Sequence, residues 1–114
     1  MTVVCGQRNI VLIGMPGVGK STVGVLLAKA LSRDFVDTDV LIQSRERRRL
    51  QAVIDSAGID AFCEVEERHV LSLDCRSTVI ATGGSVVYSD AAMRRLKSCG
   101  VVVHLDLPLV VLES

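Results

Sequence analysis

The segment Gly14-Met-Pro-Gly-Val-Gly-Lys-Ser21 joins three glycines to a lysine and a hydroxyl in the order G-x-x-x-x-G-K-[ST]. Glycines let successive backbone N–H groups turn inward around a phosphate, and a helix beginning at the end of the loop adds the positive end of its dipole. Lys20 would carry a mobile positive charge to the β- and γ-phosphates of a nucleotide, and Ser21 a hydroxyl to Mg²⁺. A plain glycine turn between a strand and a helix is the competing reading. The flanks decide against it, because the apolar run Ile10 to Ile13 precedes the motif and a helical pattern follows it. Gly14, Pro16, Gly17, Val18, Gly19, Lys20, Ser21 and Thr22 are therefore the expected nucleotide-binding residues.

Two more groups have the composition of a site. Asp37 and Asp39 stand two apart after Phe35-Val36, so one can hold Mg²⁺ or its water while the other accepts a hydrogen bond from a substrate hydroxyl. An Asx turn that merely ends a strand is the plainer alternative. Gly83-Gly84 follows Thr78-Val-Ile-Ala81 and would let backbone amides approach a ligand closely. The other ionisable candidates read as structural. His69 and His104 are expected as satisfied core residues, Arg45 to Arg49 as a solvated helix face, and Tyr88 with Arg94-Arg95 as surface.

These groups need a frame that brings them together. Ile10 to Ile13, Thr78 to Ala81 and Val101 to Leu105 are short, β-branched and barely alternating, the pattern of parallel strands covered on both faces, and Phe35-Val36 reads as a shorter strand feeding a loop. Val23, Leu26, Leu27, Ala30 and Leu31 form one stripe of a helix over 20–32. Asp60 would cap a second helix to about Leu73, with Phe62, Val65, His69 and Leu73 inward, and Ser89 or Asp90 a third that ends at Gly100. Pro108 suits the first turn of a fourth. Strands alternating with helices give an α/β layered domain with a parallel sheet, whose ligands bind at the carboxyl ends of the strands.

Length and composition narrow the partners. The chain has 114 residues, 49% hydrophobic and 23% charged, which suits one globular domain over 1–114. Three aromatic residues offer no stacking platform for nucleic acid, and 13 basic against 13 acidic side chains draw the chain to no polyanion or membrane surface. Cys5, Cys63, Cys75 and Cys99 contain no Cys-x-x-Cys pair, so they read as cytosolic thiols, and the short apolar run near the N-terminus predicts neither a signal peptide nor a span. A cytoplasmic monomer acting on a small molecule is expected.

One decoy imitates a GTPase element: Asp55-Ser-Ala-Gly58 after Ala52-Val-Ile54. Leu50, Val53, Ile54 and Ala57 fall at helical spacing, which opposes the strand that element requires. A fuller match runs from Gly14 to Thr22 through Phe35-Val-Asp-Thr-Asp39, Ala61-Phe62 with Glu66 and Glu67, and Ala81-Thr-Gly-Gly84 to the last strand. In that order and at about that spacing the chain resembles shikimate kinase, a P-loop small-molecule kinase. The resemblance implies ATP and Mg²⁺, with Lys20 and Asp39 catalytic and Ser21 and Asp37 on the metal. It implies Asp39, Cys63, Gly83, Gly84 and Ser85 at the acceptor.

Two departures qualify it. The family's substrate-carboxylate arginine follows the phenylalanine aligned with Phe62, and here that position is Cys63. Glu66 matches the acidic residue that orients that arginine, and Ser85 replaces a third glycine. The family's lid, adenine loop and fifth strand lie beyond the fourth strand and outside these 114 residues, so a truncated domain is expected. The readings that follow are shikimate phosphorylation, a diverged kinase for another hydroxy acid such as homoserine or gluconate, and a nucleotide-binding remnant without catalysis.

Overall fold

The β-branched runs become strands because extended backbone spaces their stiff side chains, and their unbroken apolar character demands cover on both faces. In the computed structural model, which describes residues 8–14 and 19–105, these are β1 (Asn9–Ile13), β2 (Asp34–Asp37), β3 (Thr78–Ala81) and β4 (Gly100–His104). All pair in parallel in the order β2-β3-β1-β4. β1 and β3 are central, and Val11, Leu12, Val79 and Ile80 are buried. Asn9, buried at the start of β1, donates from Nδ2 to the Cys75 carbonyl at 3.0 Å and accepts the Thr78 N–H at 3.0 Å, which secures the register of β1 against β3.

Five helices connect the strands: α1 (Lys20–Leu31), α2 (Thr38–Glu46), α3 (Leu50–Ala57), α4 (Ile59–Leu71) and α5 (Asp90–Cys99). α4 and α5 close one core, in which Val70, Val86, Ala92 and Leu96 meet Val11 and Ile80. α1 closes a smaller one on Leu12 and Val79. Ser89 caps α5 as expected, accepting the Ala92 N–H at 3.0 Å. Among the described residues no helix is long and apolar enough to cross a membrane.

Several expectations are corrected. The aliphatic stripe of α1 is not its inner face: Val23, Leu26, Ala30 and Leu31 are exposed, and the helix meets the sheet through Gly24 and Ala28. A β-carbon on Gly24 would lie 2.5 Å from Phe35 Cε1; small residues let this helix come too close for branched ones. α4 begins after Gly58, with Asp60 in its first turn and not at its cap, and it stops at Leu71. β2 feeds α2 directly and no loop intervenes. Among the described residues β4 is an edge strand, and Val101, Val103 and His104 on it are exposed and not buried as expected. The helix expected at Pro108 lies outside the described residues.

The order β2-β3-β1 sets three chain turns side by side at the carboxyl ends of the strands: Gly14 after β1, Asp37 at the end of β2, and Thr82 to Gly84 after β3. All three sites suggested by the sequence therefore meet at one edge.

Candidate active site

Lys20 opens α1, yet its side chain turns back toward the end of β1. It is 8% exposed, and its Nζ donates to the Gly14 carbonyl at 2.7 Å. Burial lowers its pKa, while the nearby Asp39 and Asp37 carboxylates oppose that shift. Gly19, just before it, has φ 91°, a left-handed backbone that favours glycine. Of the loop residues expected to bind nucleotide, Pro16, Gly17 and Val18 lie outside the described residues. Gly19, Lys20, Ser21 and Thr22 line a cleft of about 320 Å³ together with Asp37, Asp39, Thr82 and Gly84.

Asp37 divides its two oxygens. Oδ1 caps α2 by accepting the N–H groups of Asp39 at 2.9 Å and Val40 at 3.3 Å, while Oδ2 accepts the Ser21 hydroxyl at 2.5 Å. The capping turn is thus present, and the second oxygen of the same side chain is left facing Ser21. Asp39 follows within the first turn of α2, which aims its carboxyl back into the cleft. Burial raises its pKa first and the Asp37 charge raises it further, with Lys20 pulling the other way.

The turn after β3 forms the third wall. The Gly83 N–H donates to Thr38 Oγ1 at 3.1 Å, and the Thr82 hydroxyl donates to the Leu12 carbonyl at 2.9 Å. A β-carbon on Gly83 would overlap Glu66 Oε2 and come 2.7 Å from Asp39 Oδ1, so two carboxyl groups close on this glycine. Glu66 is 2% exposed. Its Oε1 accepts the Ser85 hydroxyl, whereas its Oε2 is buried without a hydrogen-bond partner. Burial raises its pKa, the Ser85 bond lowers it, and Asp39 raises it again. Cys63 and Ser85 lie not in the Lys20 cleft but in a neighbouring one of about 150 Å³, lined also by Glu66, Glu67 and Tyr88.

The structure therefore brings Lys20, Ser21, Asp37, Asp39 and Gly84 together and sets Cys63 and Ser85 behind Glu66 in an adjoining recess. Sequence reasoning missed Thr38 and Thr82, whose hydroxyls hold the Gly83 turn and the β1 end. Only their positions beside Asp37 and Gly83 could have signalled them. His69 is the satisfied core residue expected, with Nε2 2.9 Å from Glu46 Oε2. Mg²⁺ takes oxygen ligands and keeps several waters beside one or two protein donors. The Ser21 hydroxyl and Asp37 Oδ2 are such a pair, so the donor set fits that ion.

Comparison with known proteins agrees with this geometry. A family model described as shikimate kinase matches residues 16–113. A shikimate kinase of Clostridium botulinum is 37% identical over 106 residues, which make up 90% of this chain and 62% of the relative. One of Syntrophus aciditrophicus is 46% identical over 100 residues, 87% of this chain and 51% of that one. Among solved structures, shikimate kinase from Acinetobacter baumannii in complex with shikimate aligns with a TM-score of 0.81 at 32% identity, covering 87% of this chain and 56% of that one. The Aquifex aeolicus enzyme aligns at 0.78 with 33% identity, covering 90% of this chain and 62% of that one. The chain spans about half to six-tenths of the length of these relatives.

Proposed function

The chain belongs to the shikimate kinase family, and from that premise we propose that it transfers the γ-phosphoryl group of ATP to a hydroxyl of shikimate. The observation that carries the reading is the single cleft in which Lys20, Ser21, Asp37, Asp39 and Gly84 converge at the carboxyl edge of the sheet. Lys20 Nζ exchanges the Gly14 carbonyl for phosphate oxygens and offsets charge that builds up on them. Ser21 and Asp37 would hold Mg²⁺, which would supply charge compensation for the phosphates. Asp39 positions the acceptor hydroxyl in line and takes its proton as the new O–P bond forms and the β–γ bridging oxygen leaves with ADP. A carboxyl whose pKa is raised is the better base for that step. Gly83 and Gly84 admit the acceptor beside Asp39, with Cys63 and Ser85 at its far wall. A cytoplasmic monomer of a single domain over 1–114 completes the proposal.

A second reading keeps the chemistry and changes the acceptor. It is favoured by one observation: the recess behind Gly83 presents Cys63, Glu66 and Glu67 where the family resemblance places a carboxylate-binding arginine. A thiol cannot replace a bidentate guanidinium.

The test is ADP release from Mg-ATP by the chain, without acceptor and then with shikimate, homoserine or gluconate, with ³¹P NMR of the products. Shikimate-dependent ADP release with a phosphorylated shikimate is the expected result. Stimulation by another hydroxy acid alone would transfer the assignment to the second reading, and ATP binding without any acceptor effect would refute both.

A further inference from the structure

The opposite end of the sheet carries its own cleft, of about 420 Å³. Arg8 stands just before β1, Asp74 to Arg76 before β3, and Ser98 and Cys99 before β4. In a parallel sheet these are the amino-terminal ends of the strands, about 16 Å from the Lys20 cleft at roughly 3.3 Å per residue over β1. Ligands of such sheets ordinarily bind at the other edge, so this cleft belongs to no part of the proposed active site.

Three guanidiniums face it, from Arg8, Arg76 and Arg95, against one carboxylate, Asp74; three positive charges and one negative give a net +2. None of the three arginines makes an ion pair within 4.0 Å among the described residues. Arg8 Nη2 donates to the Gly100 carbonyl at 3.1 Å, and Arg95 Nη2 to the Leu73 carbonyl at 2.6 Å. Each anchor uses one nitrogen of its guanidinium. Arg95 is half-buried, not the surface residue expected from the sequence, and its Nε–H is buried without an acceptor. A buried donor left unpaired is unfavourable until an acceptor arrives. The carboxyl end of α5 adds about half a negative charge nearby, too little to cancel the excess.

We propose that this cleft is a second binding site, for a small phosphate-type oxyanion held by the guanidiniums of Arg8, Arg76 and Arg95. Planar guanidinium forks match the oxygens of phosphate in geometry as well as charge. Occupancy would answer the excess positive charge of the cleft.

Cys75 and Cys99 line the same cleft and report on it, while Cys63 lines a different one. The experiment is the alkylation rate of each cysteine by iodoacetamide, read by mass spectrometry at mildly alkaline pH. The full chain is titrated with inorganic phosphate, with methyl phosphate, or with chloride at matched ionic strength. Protection of Cys75 and Cys99 by about tenfold is expected once phosphate reaches ten times its dissociation constant, following the factor 1 + [L]/Kd. Cys63 should be unaffected, and the protection should weaken in Arg76→Gln, an exposed position whose side chain anchors nothing in the described fold. Methyl phosphate protecting as well as phosphate would identify a phosphomonoester site; phosphate alone would identify a free-anion site. Equal rates in phosphate and chloride, equal protection of Cys63, or undiminished protection in Arg76→Gln would overturn the assignment. None of these readouts depends on kinase activity, so this proposal and the proposed function can fail separately.

Discussion

Gly83→Ala tests the geometry of the acceptor wall most directly. The new methyl would overlap Glu66 Oε2 and stand 2.7 Å from Asp39 Oδ1. Glu66 cannot swing away freely, because it is buried and its Oε1 holds the Ser85 hydroxyl. Asp39 can move only by leaving the cleft it shares with Lys20. Overpacking of this kind costs about 1–3 kcal/mol. At about 4–8 °C per kcal/mol for a domain of this size, Tm should fall on the order of 10 °C. Shikimate-dependent ADP release should fall further than the stability loss explains at a temperature where the variant remains folded, since the displaced carboxyl is the proposed base. Differential scanning fluorimetry and a coupled ADP assay give the two readouts. Placing the same substitution in a Glu66→Ala background removes the main obstacle, so the second Tm drop should be clearly smaller than the first. A Gly83→Ala chain with unchanged Tm and full activity, or an identical drop in both backgrounds, would refute the packing argument.

Asp37→Asn keeps the oxygen that caps α2 and loses the full charge opposite Ser21. Stability should change little while acceptor-dependent turnover falls about ten- to a hundredfold, whereas Asp37→Ala should also lose about 1 kcal/mol of cap energy; equal activity in Asp37→Asn and the parent would dismiss the metal role. Glu66 has a pKa raised above 4.5, chiefly by burial, so the folded chain binds its proton more tightly than the unfolded chain does. Its contribution to stability is therefore complete below about 4.5 and is lost as pH rises through the folded value. Glu66→Gln should reduce the loss of urea stability on going from acid to neutral pH. The reduction should be partial, because Asp39 is shifted upward too, and a pH profile parallel to the parent's would sink this account.

Much of this was legible in the residues. The phosphate loop, the acidic turn and the Gly-Gly turn each carried a local chemical reason, and the alternation of strands with helices predicted the edge on which they meet. What failed was the direction of apolar surfaces. On α1 the aliphatic stripe suggested a core face, but Gly24 and Ala28 win because the Phe35 ring needs the space above the sheet. Periodicity counts apolar residues and does not weigh close approach. β4 read as buried because its valines barely alternate with polar residues, yet an edge strand is covered only where a neighbour exists. Arg95 looked like surface beside Arg94; that the Leu73 carbonyl, 22 positions away, would accept its Nη2–H is a tertiary fact without a local signal. The pairing of Glu66 with Ser85 was equally invisible, since nineteen positions separate them and only the fold makes them neighbours.

The distribution of charge links the two ends of the sheet to the proposed chemistry. The chain is neutral overall, but Asp37, Asp39 and Glu66 crowd the carboxyl edge, and three arginines gather at the amino edge. At the carboxyl edge burial lowers the Lys20 pKa, and the nearby Asp39 and Asp37 charges oppose that shift without reversing it. A bare triphosphate approaching Asp37 and Asp39 would meet repulsion that Lys20 offsets only in part. In the proposed reaction Ser21 and Asp37, whose side-chain oxygens are joined by a hydrogen bond, would receive a cation arriving with the nucleotide, and that cation would supply the remaining compensation. Burial first, and then the Asp37 charge, raise the Asp39 pKa, so the enclosure of this edge is also what makes Asp39 the better base for the proposed step.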